Sequence, residues 1–590
     1  MKNKTAIYAL GGLEEIGKNT YVVETEKSMI VVDAGIKFAN STMPGFDALV
    51  ANFDYLKEKE HKISALVITH GHEDHIGGIP YLLKLVKIKK IIASSLTVQL
   101  ITKKVSEHKD IVCPEIVIFD KLEDIKLHDI KIEFFRVCHS IPDSFGVGIH
   151  TNDGLIVSTG DFRFDFATNA DNTDLVKLME ISNKKVDVLL CESTSAEVPG
   201  FSESEKYIIK NIEEIIRNAK GRIFLSTFAS NLSRIEQVLK YVKSLNKKIL
   251  MLGRSMETNI KISRKLGYLK MTDLDFIISK ELSNYPDDEI FVILTGSQGE
   301  EAAALNAIAN GKHPKIAFKP NDTVILSSNP IPGNFAQVEM LVNKLYKLGV
   351  NVVENNPDKK IHASGHATRS ELQLMIKAIN PKYIMPIHGE YKMLKALKQN
   401  AIDLGFDDKN ILIAKNGQLV YLEKHKLSLS QDFVNAVPMF INSGELNSNA
   451  KELLETRELL STDGFMLVSV RHSIEKSKLI SISLTPRGTF LARESTNILT
   501  KIINEIKSKV NEYWTKHKDY TLDETSKIIQ PIIKEYIWKF KRKTPLTFIE
   551  YINMDDVEKI VKQKDFIKTE QEEIIKDETS IDDSFNEETE

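Results

Sequence analysis

At 590 residues, with 42% hydrophobic and 27% charged residues, the sequence describes a globular chain too long for one core, so about two to four domains are expected. It has no apolar run long enough to cross a bilayer, and its opening residues lead into a short strand rather than a signal-peptide core, so a cytoplasmic protein with no membrane partner is expected. Three cysteines, none in a CxxC arrangement, exclude a disulfide scaffold, and a net charge of −3 says nothing for or against nucleic acid, since a basic groove can be local.

In chain order, short strands come first, over residues 6–10, 20–24 and 28–32, the last running into Asp33-Ala34-Gly35. Asp33 there is either a carboxylate that orients a ligand histidine or a turn aspartate. An apolar strand over residues 63–68 then delivers Thr69-His70-Gly71-His72-Glu73-Asp74-His75, followed by a helix over 76–87. A chain with 15 histidines has placed three of them within six residues, which is not how an ordinary polar loop is composed. Imidazole and carboxylate suit borderline divalent cations, and a loop this dense in them suits two ions better than one.

Strands over 90–93, 116–119, 130–137 and 155–159 follow, and what stands at their ends matters most. The third ends in Cys138-His139, the fourth in Gly160-Asp161, and much later a strand over 382–387 ends in His388-Gly389. Singly, each is an ordinary turn residue. Together with the histidine loop they supply a dinuclear site, with His70, His72 and His139 on one ion, Asp74, His75 and His388 on the other, and Asp161 bridging.

From about Ser202 the texture changes. Helices over 208–218 and 233–245 alternate with parallel-type strands over 223–225, 248–252, 290–294 and 323–326, an α/β insertion between Asp161 and His388. Residues 426–455 read as a polar linker, followed by strands over 464–470 and 478–483 and helices over 497–514 and 525–540, the second kinked or divided by Pro531. Lys539-Phe540-Lys541-Arg542-Lys543 is either a solvated helix end or a basic, aromatic cluster suited to a nucleic-acid backbone. From Glu570 onward the chain is overwhelmingly acidic, as in a disordered, solubilising tail.

HxHxDH, a distant histidine, an aspartate and a far histidine, in that order, resemble the metallo-β-lactamase fold. A core interrupted after Cys191-Glu192-Ser193-Thr194 and resumed at His362-Ala363-Ser364-Gly365-His366 resembles the β-CASP group of that fold. Phe228-Ala229-Ser230-Asn231, Gly253-Arg254-Ser255-Met256-Glu257 and Thr295-Gly296-Ser297-Gln298-Gly299-Glu300 are similar to the bacterial ribonuclease J family, densely over residues 5–425 and more loosely over 459–494. The resemblance implies an α/β (α+β) protein. Its metallo-β-lactamase αββα sandwich would be split over 1–205 and 356–425, with an α/β β-CASP domain over 206–355, a linker over 426–457, a small C-terminal α/β domain over 458–553 and a tail over 554–590.

It also implies a ribonuclease of RNA maturation and mRNA decay, cutting single-stranded RNA 5′-to-3′ and internally with two divalent ions, zinc or else manganese. Products would carry 5′-phosphates, and the enzyme would work as a homodimer or homotetramer, in the company of other RNA-decay proteins. Glu192 would be the proton donor, and His366 either the acceptor or a stabiliser of transition-state charge. His362, Ala363, Ser364, Gly365 and His366, with Ser230 and Asn231, would grip a 5′-monophosphate. Two departures stand out: Glu192 replaces the aspartate of many members, and residues 434–449 lack a glycine- and aspartate-rich stretch, so no calcium site is expected there. A small-molecule metallo-hydrolase and a non-catalytic RNA-binding subunit are the competing readings; the insertion speaks against the first and the complete ligand set against the second.

Overall fold

The computed structural model describes residues 4–556 apart from 41, 120–123, 168–171, 301, 332, 448–449, 492 and 494, so the acidic tail expected from Glu570 lies outside the described residues. They form two compact units, residues 4–40 with 45–447 and residues 42–44 with 450–556.

The first unit is built on two stacked sheets. One has eight strands, ordered Lys426–Phe433, Gln418–Glu423, Thr5–Gly11, Thr20–Glu24, Met29–Val32, Ile63–Val67, Lys90–Ala93 and Glu115–Ile118. The other has six, ordered Tyr383–Ile387, Val188–Glu192, Gly154–Ser158, Ser144–Thr151, Ile130–Val137 and Ile125–Leu127. Side chains alternate faces along a strand, so each sheet feeds two cores. Ile7, Ala9, Val32 and Val67 of the first sheet meet Phe134, Val147, Ile156 and Leu190 of the second between the layers. Tyr8, Leu10, Val31 and Leu66 face outward onto Ile79, Leu82 and Ile101 of helices, while Phe135, Val157 and Leu189 face Leu372, Met375 and Leu397. That is an αββα sandwich, the metallo-β-lactamase arrangement.

The chain leaves the second sheet after Val188–Glu192 and returns on Tyr383–Ile387, which pairs with it in parallel, Glu192 opposite Ile387. Between them lies an all-parallel six-stranded sheet with Ile223–Ser226 near its centre. Ile223, Leu225 and Ile293 pack on Ile212, Ile235 and Leu239 of helices on one face, and Phe224, Val292 and Val324 on Leu305, Leu341 and Leu345 on the other. Both faces are covered, which is why these strands read as unbroken apolar runs.

The structure departs from the sequence reading in three places. The helix expected over 76–87 is two short ones, Glu73–Ile76 and Ile79–Leu85, separated at Gly77-Gly78. Residues 426–455 are not a linker: Lys426–Phe433 extends the eight-stranded sheet, and Met439–Asn442 pairs with Glu445–Asn447 and Ala48–Val50. Their polarity reflects an edge strand that is mostly exposed. Pro531 does not divide its helix: it lies inside Leu522–Lys541, where Ile529, Ile533 and Ile537 bury one stripe on both sides of it. In this second unit that helix and Thr496–Lys516 pack on a three-stranded sheet ordered Lys478–Arg487, Phe465–Ser473, Leu546–Asn553. Among the described residues, no helix is long and apolar enough to cross a membrane.

Candidate metal centre

The loop after Ile63–Val67 is fixed from below by one carboxylate. Asp33 accepts from the Thr69 amide at 2.8 Å and from the Thr69 hydroxyl at 2.9 Å, and its Oδ2 lies 2.8 Å from His75 Nδ1. Of the two readings open for Asp33, the orienting one describes its contacts. The turn after it must pass very close to the loop: a Cβ on Gly35 would stand 1.6 Å from the Asp74 carbonyl oxygen, so only glycine fits.

Three imidazoles converge at one group. His72 Nδ1 lies 3.1 Å from both His70 Nε2 and His139 Nε2. A second group adjoins it, where Asp161 Oδ2 is 3.1 Å from His75 Nε2 and 3.2 Å from His388 Nε2, and Asp74 Oδ2 is 3.3 Å from His388 Nε2. Asp161 Oδ2 also lies 3.7 Å from His70 Nε2 and 4.0 Å from His139 Nε2, which puts it between the groups. The residues named from the sequence as ligands therefore come together from separate loops: His70, His72, Asp74 and His75 from one, and His139, Asp161 and His388 from one each.

The donor chemistry fits a divalent cation. Histidine ligands usually donate their other ring N–H to a fixed acceptor. Here His70 Nδ1 faces Thr69 Oγ1 at 3.0 Å, His72 Nε2 faces Ser230 Oγ at 3.1 Å, His75 Nδ1 faces Asp33, and His139 Nδ1 donates to the Gly365 carbonyl at 2.6 Å. Each of these rings thus turns its remaining nitrogen toward the centre. His388 is the exception: its Nδ1 is buried without a hydrogen-bond partner.

Electrostatics divide the two groups. Burial, reinforced by neighbouring imidazoles, holds His70 and His139 well below the usual histidine range, and burial holds His72 at about 4, so the first group offers neutral lone pairs. In the second, burial opposes charge but the carboxylates prevail. Asp161, Asp74 and Asp33 lift His75 well above its ordinary value, and Asp161 and Asp74 push His388 up to about 10. Those carboxylates attract positive charge, which a metal ion supplies as well as a proton does.

Beside the ligands, His366 Nδ1 is 2.8 Å from Glu192 Oε2, while Glu192 Oε1 accepts from the Phe162 amide at 2.8 Å. Burial is outweighed by Glu192 and Asp161, so the His366 pKa is raised. His366 also lies 3.8 Å from Asp161 Oδ2, so the pair borders the second group.

The other sequence candidates divide. Gly365 packs on His139, where a Cβ would be 2.8 Å from Cε1. Ser364 Oγ accepts from the His366 amide at 3.1 Å, and Ala363 is buried between His362 and Ser364. The His362 amide donates to Asn355 Oδ1 at 3.0 Å and its Nδ1 accepts from Arg234 at 2.9 Å. Asn231 is buried and caps the helix Leu232–Ser244 through Arg234 N. Ser230 meets His72, a candidate ligand, at 3.1 Å. Asn19 belongs to no motif in the sequence, yet its Nδ2 lies 3.1 Å from His75 Nε2 and 3.3 Å from both His388 Nε2 and Asp74 Oδ2. Its one local signal is the Gly17-Lys18-Asn19-Thr20 turn before a strand.

Known families match in the same order along the chain. Residues 14–173 match the metallo-beta-lactamase superfamily, residues 220–345 the beta-CASP domain of ribonuclease J, and residues 358–413 the Zn-dependent metallo-hydrolase RNA specificity domain. The chain is 43% identical over 549 residues to a ribonuclease J of Mycoplasma pneumoniae, and 44% identical over 550 residues to one of Mycoplasma genitalium, each match covering 92% of this chain and 96% of the relative. It is 36% identical over 551 residues to ribonuclease J 1 of Streptococcus pyogenes, covering 92% and 97%. With two sheets that gather the ligands, an inserted parallel domain and identity along nearly the whole of these relatives, the chain belongs to the ribonuclease J family.

Proposed function

We propose that the chain is a metal-dependent ribonuclease that hydrolyses single-stranded RNA from the 5′ end, and also internally, to products bearing 5′-phosphates. Its work in RNA maturation and mRNA decay is what the family resemblance implies. The observation that carries the reading is the position of Asp161 between the two ligand groups, with the Glu192–His366 pair beside it. His70, His72 and His139 would hold one divalent ion and Asp74, His75 and His388 the other, shared through Asp161. Zinc suits the histidine-rich first group and manganese is the alternative. Bound there, the ions supply Lewis acidity and a water of lowered pKa, which a phosphodiester needs because its charge repels hydroxide and its leaving alkoxide is poor.

The protein's own groups do the rest. Glu192 Oε1 accepts from Phe162 N and its Oε2 lies 2.8 Å from His366 Nδ1, and the raised His366 pKa beside it favours a protonated ring. In this reading, which differs from the roles the resemblance implies, His366 would donate a proton to the departing 3′-oxygen and Glu192 would hold the ring and its charge. The amides of Ala363, Ser364 and Gly365 remain for a 5′-phosphate, since those of His362 and His366 are engaged.

The test compares turnover of 5′-monophosphorylated and 5′-triphosphorylated RNA by the wild type and by His72→Ala. The expected result is preference for the monophosphate and loss of turnover in the variant. Indifference to both changes would remove the assignment. The gathering of all seven candidate ligands speaks against a non-catalytic RNA-binding subunit.

A further inference from the structure

The second unit carries a surface that the cleavage reaction does not use. The helix Leu522–Lys541 buries Ile529, Ile533 and Ile537, yet at its end it leaves Trp538 50% and Phe540 43% exposed. Cations crowd these rings. Arg542 lies 5.6 Å from the Trp538 ring centre, Lys501 of the neighbouring helix 5.8 Å and Lys539 6.0 Å from that of Phe540, and Lys541 5.5 Å from that of Phe490. Among the described residues no carboxylate forms an ion pair with Lys501, Lys539, Lys541 or Arg542, while Asp463 is near enough to Lys543 for the lysine to help lower its pKa. Beside Trp538 the surface is hollowed, in a depression of about 560 Å³ lined also by Pro531, Lys534, Glu535 and Thr544.

A helix end gains about 0.3–1 kcal/mol from a cation that offsets its dipole. That accounts for one or two of these residues, not for five, and it gives no reason to expose a tryptophan and a phenylalanine among them. Protein interfaces are enriched in tryptophan, phenylalanine and arginine but depleted in lysine, so it is the four lysines here that count against a protein partner. Unpaired cations alternating with exposed rings match a chain of phosphates carrying flat bases. Sequence-tolerant single-strand binding uses the same pairing of backbone charge with stacking.

We propose that the end of Leu522–Lys541, with Lys501 and Phe490, is a docking surface for single-stranded RNA, holding a stretch of the substrate that is not being cut. The proposal rests on the ribonuclease reading for the identity of the nucleic acid. Trp538 and Phe540 stack on bases, and Lys501, Lys539, Lys541, Arg542 and Lys543 neutralise phosphates. Long RNA therefore gains affinity from this surface and a short oligonucleotide does not.

The experiment measures binding and cleavage by the full chain with a short and a long single-stranded RNA over a range of salt. It compares the wild type with Trp538→Ala, with Lys539→Ala/Lys541→Ala/Arg542→Ala/Lys543→Ala combined, and with Lys539→Arg/Lys541→Arg/Lys543→Arg. The alanine set is expected to bind long RNA roughly 10-fold more weakly and to flatten the salt dependence by about 0.7 in log–log slope for each phosphate no longer neutralised. Trp538→Ala is expected to lower affinity about 5- to 100-fold with the salt slope unchanged. The arginine set should retain wild-type affinity, and all variants should cleave the short oligonucleotide as the wild type does, which also reports that they fold. Unchanged binding of long RNA by the alanine set overturns the proposal. Sedimentation of that set then tells whether a second copy of the chain covers the face instead. If no RNA is cleaved but long RNA still needs the patch, the ribonuclease reading fails and the docking surface stands.

Discussion

Ser230 Oγ of the inserted domain lies 3.1 Å from His72 Nε2 of the sandwich, so a residue distant in sequence holds the far side of a metal-ligand ring. His72 Nδ1 is the nitrogen aimed at His70 and His139, which leaves Nε2–H to donate to the serine. Losing such a partner typically weakens metal affinity about 10- to 100-fold. Ser230→Ala is therefore expected to release metal more readily in competition with a chelator, while the metal-free protein melts as the wild type does. Equal metal affinity in the two proteins would show the contact to be incidental.

The Glu192–His366 pair predicts a pH effect of definite sign. Glu192 raises the His366 pKa, which keeps the ring protonated toward higher pH. If His366 is the proton donor, activity falls on the alkaline side as that proton is lost. Glu192→Gln removes the carboxylate's charge, lowers the His366 pKa and moves the alkaline limb of kcat to lower pH. His366→Ala should lower kcat about 10²- to 10⁴-fold with metal content unchanged. A Glu192→Gln profile whose alkaline limb stays in place would return the donor role to another group.

Arg234 is fully buried and ties the insertion to the sandwich. It donates to Glu205 at 2.5 and 3.0 Å, to Ser327 Oγ at 3.1 Å and to His362 Nδ1 at 2.9 Å, while Arg163 reaches the same Glu205 at 3.4 Å. Removing one partner of a buried ion pair leaves an uncompensated charge and costs about 3–5 kcal/mol. Arg234→Ala should lose about that much in urea unfolding, and Arg234→Met with Glu205→Gln should lose less. A surface-like loss under about 0.5 kcal/mol would contradict the network's role.

Glu133 gives a stability prediction away from the ligands. Burial alone would raise its pKa, but His150 at 2.5 Å and Lys184 at 2.5 Å hold it at about 2. A carboxyl lowered in the folded state stabilises the fold above its ordinary value near 4.5, and loses that contribution as pH falls toward 2. Glu133→Gln should therefore cost about 1–3 kcal/mol at neutral pH and converge with the wild type in acid. Parallel unfolding curves at pH 7 would refute the assignment.

The candidate ligand set is legible in the sequence because its members stand in loops that follow strands with an unambiguous apolar pattern. The strands end at Val137, Ser158 and Ile387, one to three residues before His139, Asp161 and His388, so the three can be assigned to strand ends without coordinates. The parallel insertion is legible for the same reason, its strands being short apolar runs between helical periods. Less readable are the elements whose polarity misleads: Lys426–Phe433, an exposed edge strand, has the composition of a linker, and Pro531 has the look of a break in a helix that tertiary contacts hold together.

Composition and pattern thus determined which side chains gather. They did not determine which atom of each faces which neighbour, because that depends on contacts between segments far apart in the chain. Packing alone aimed Asn19 at His75 and His388, set Ser230 beside His72, and placed Asn231 as a helix cap. A hydrogen bond needs its partners within a few tenths of an ångström, and only the folded chain settles distances on that scale.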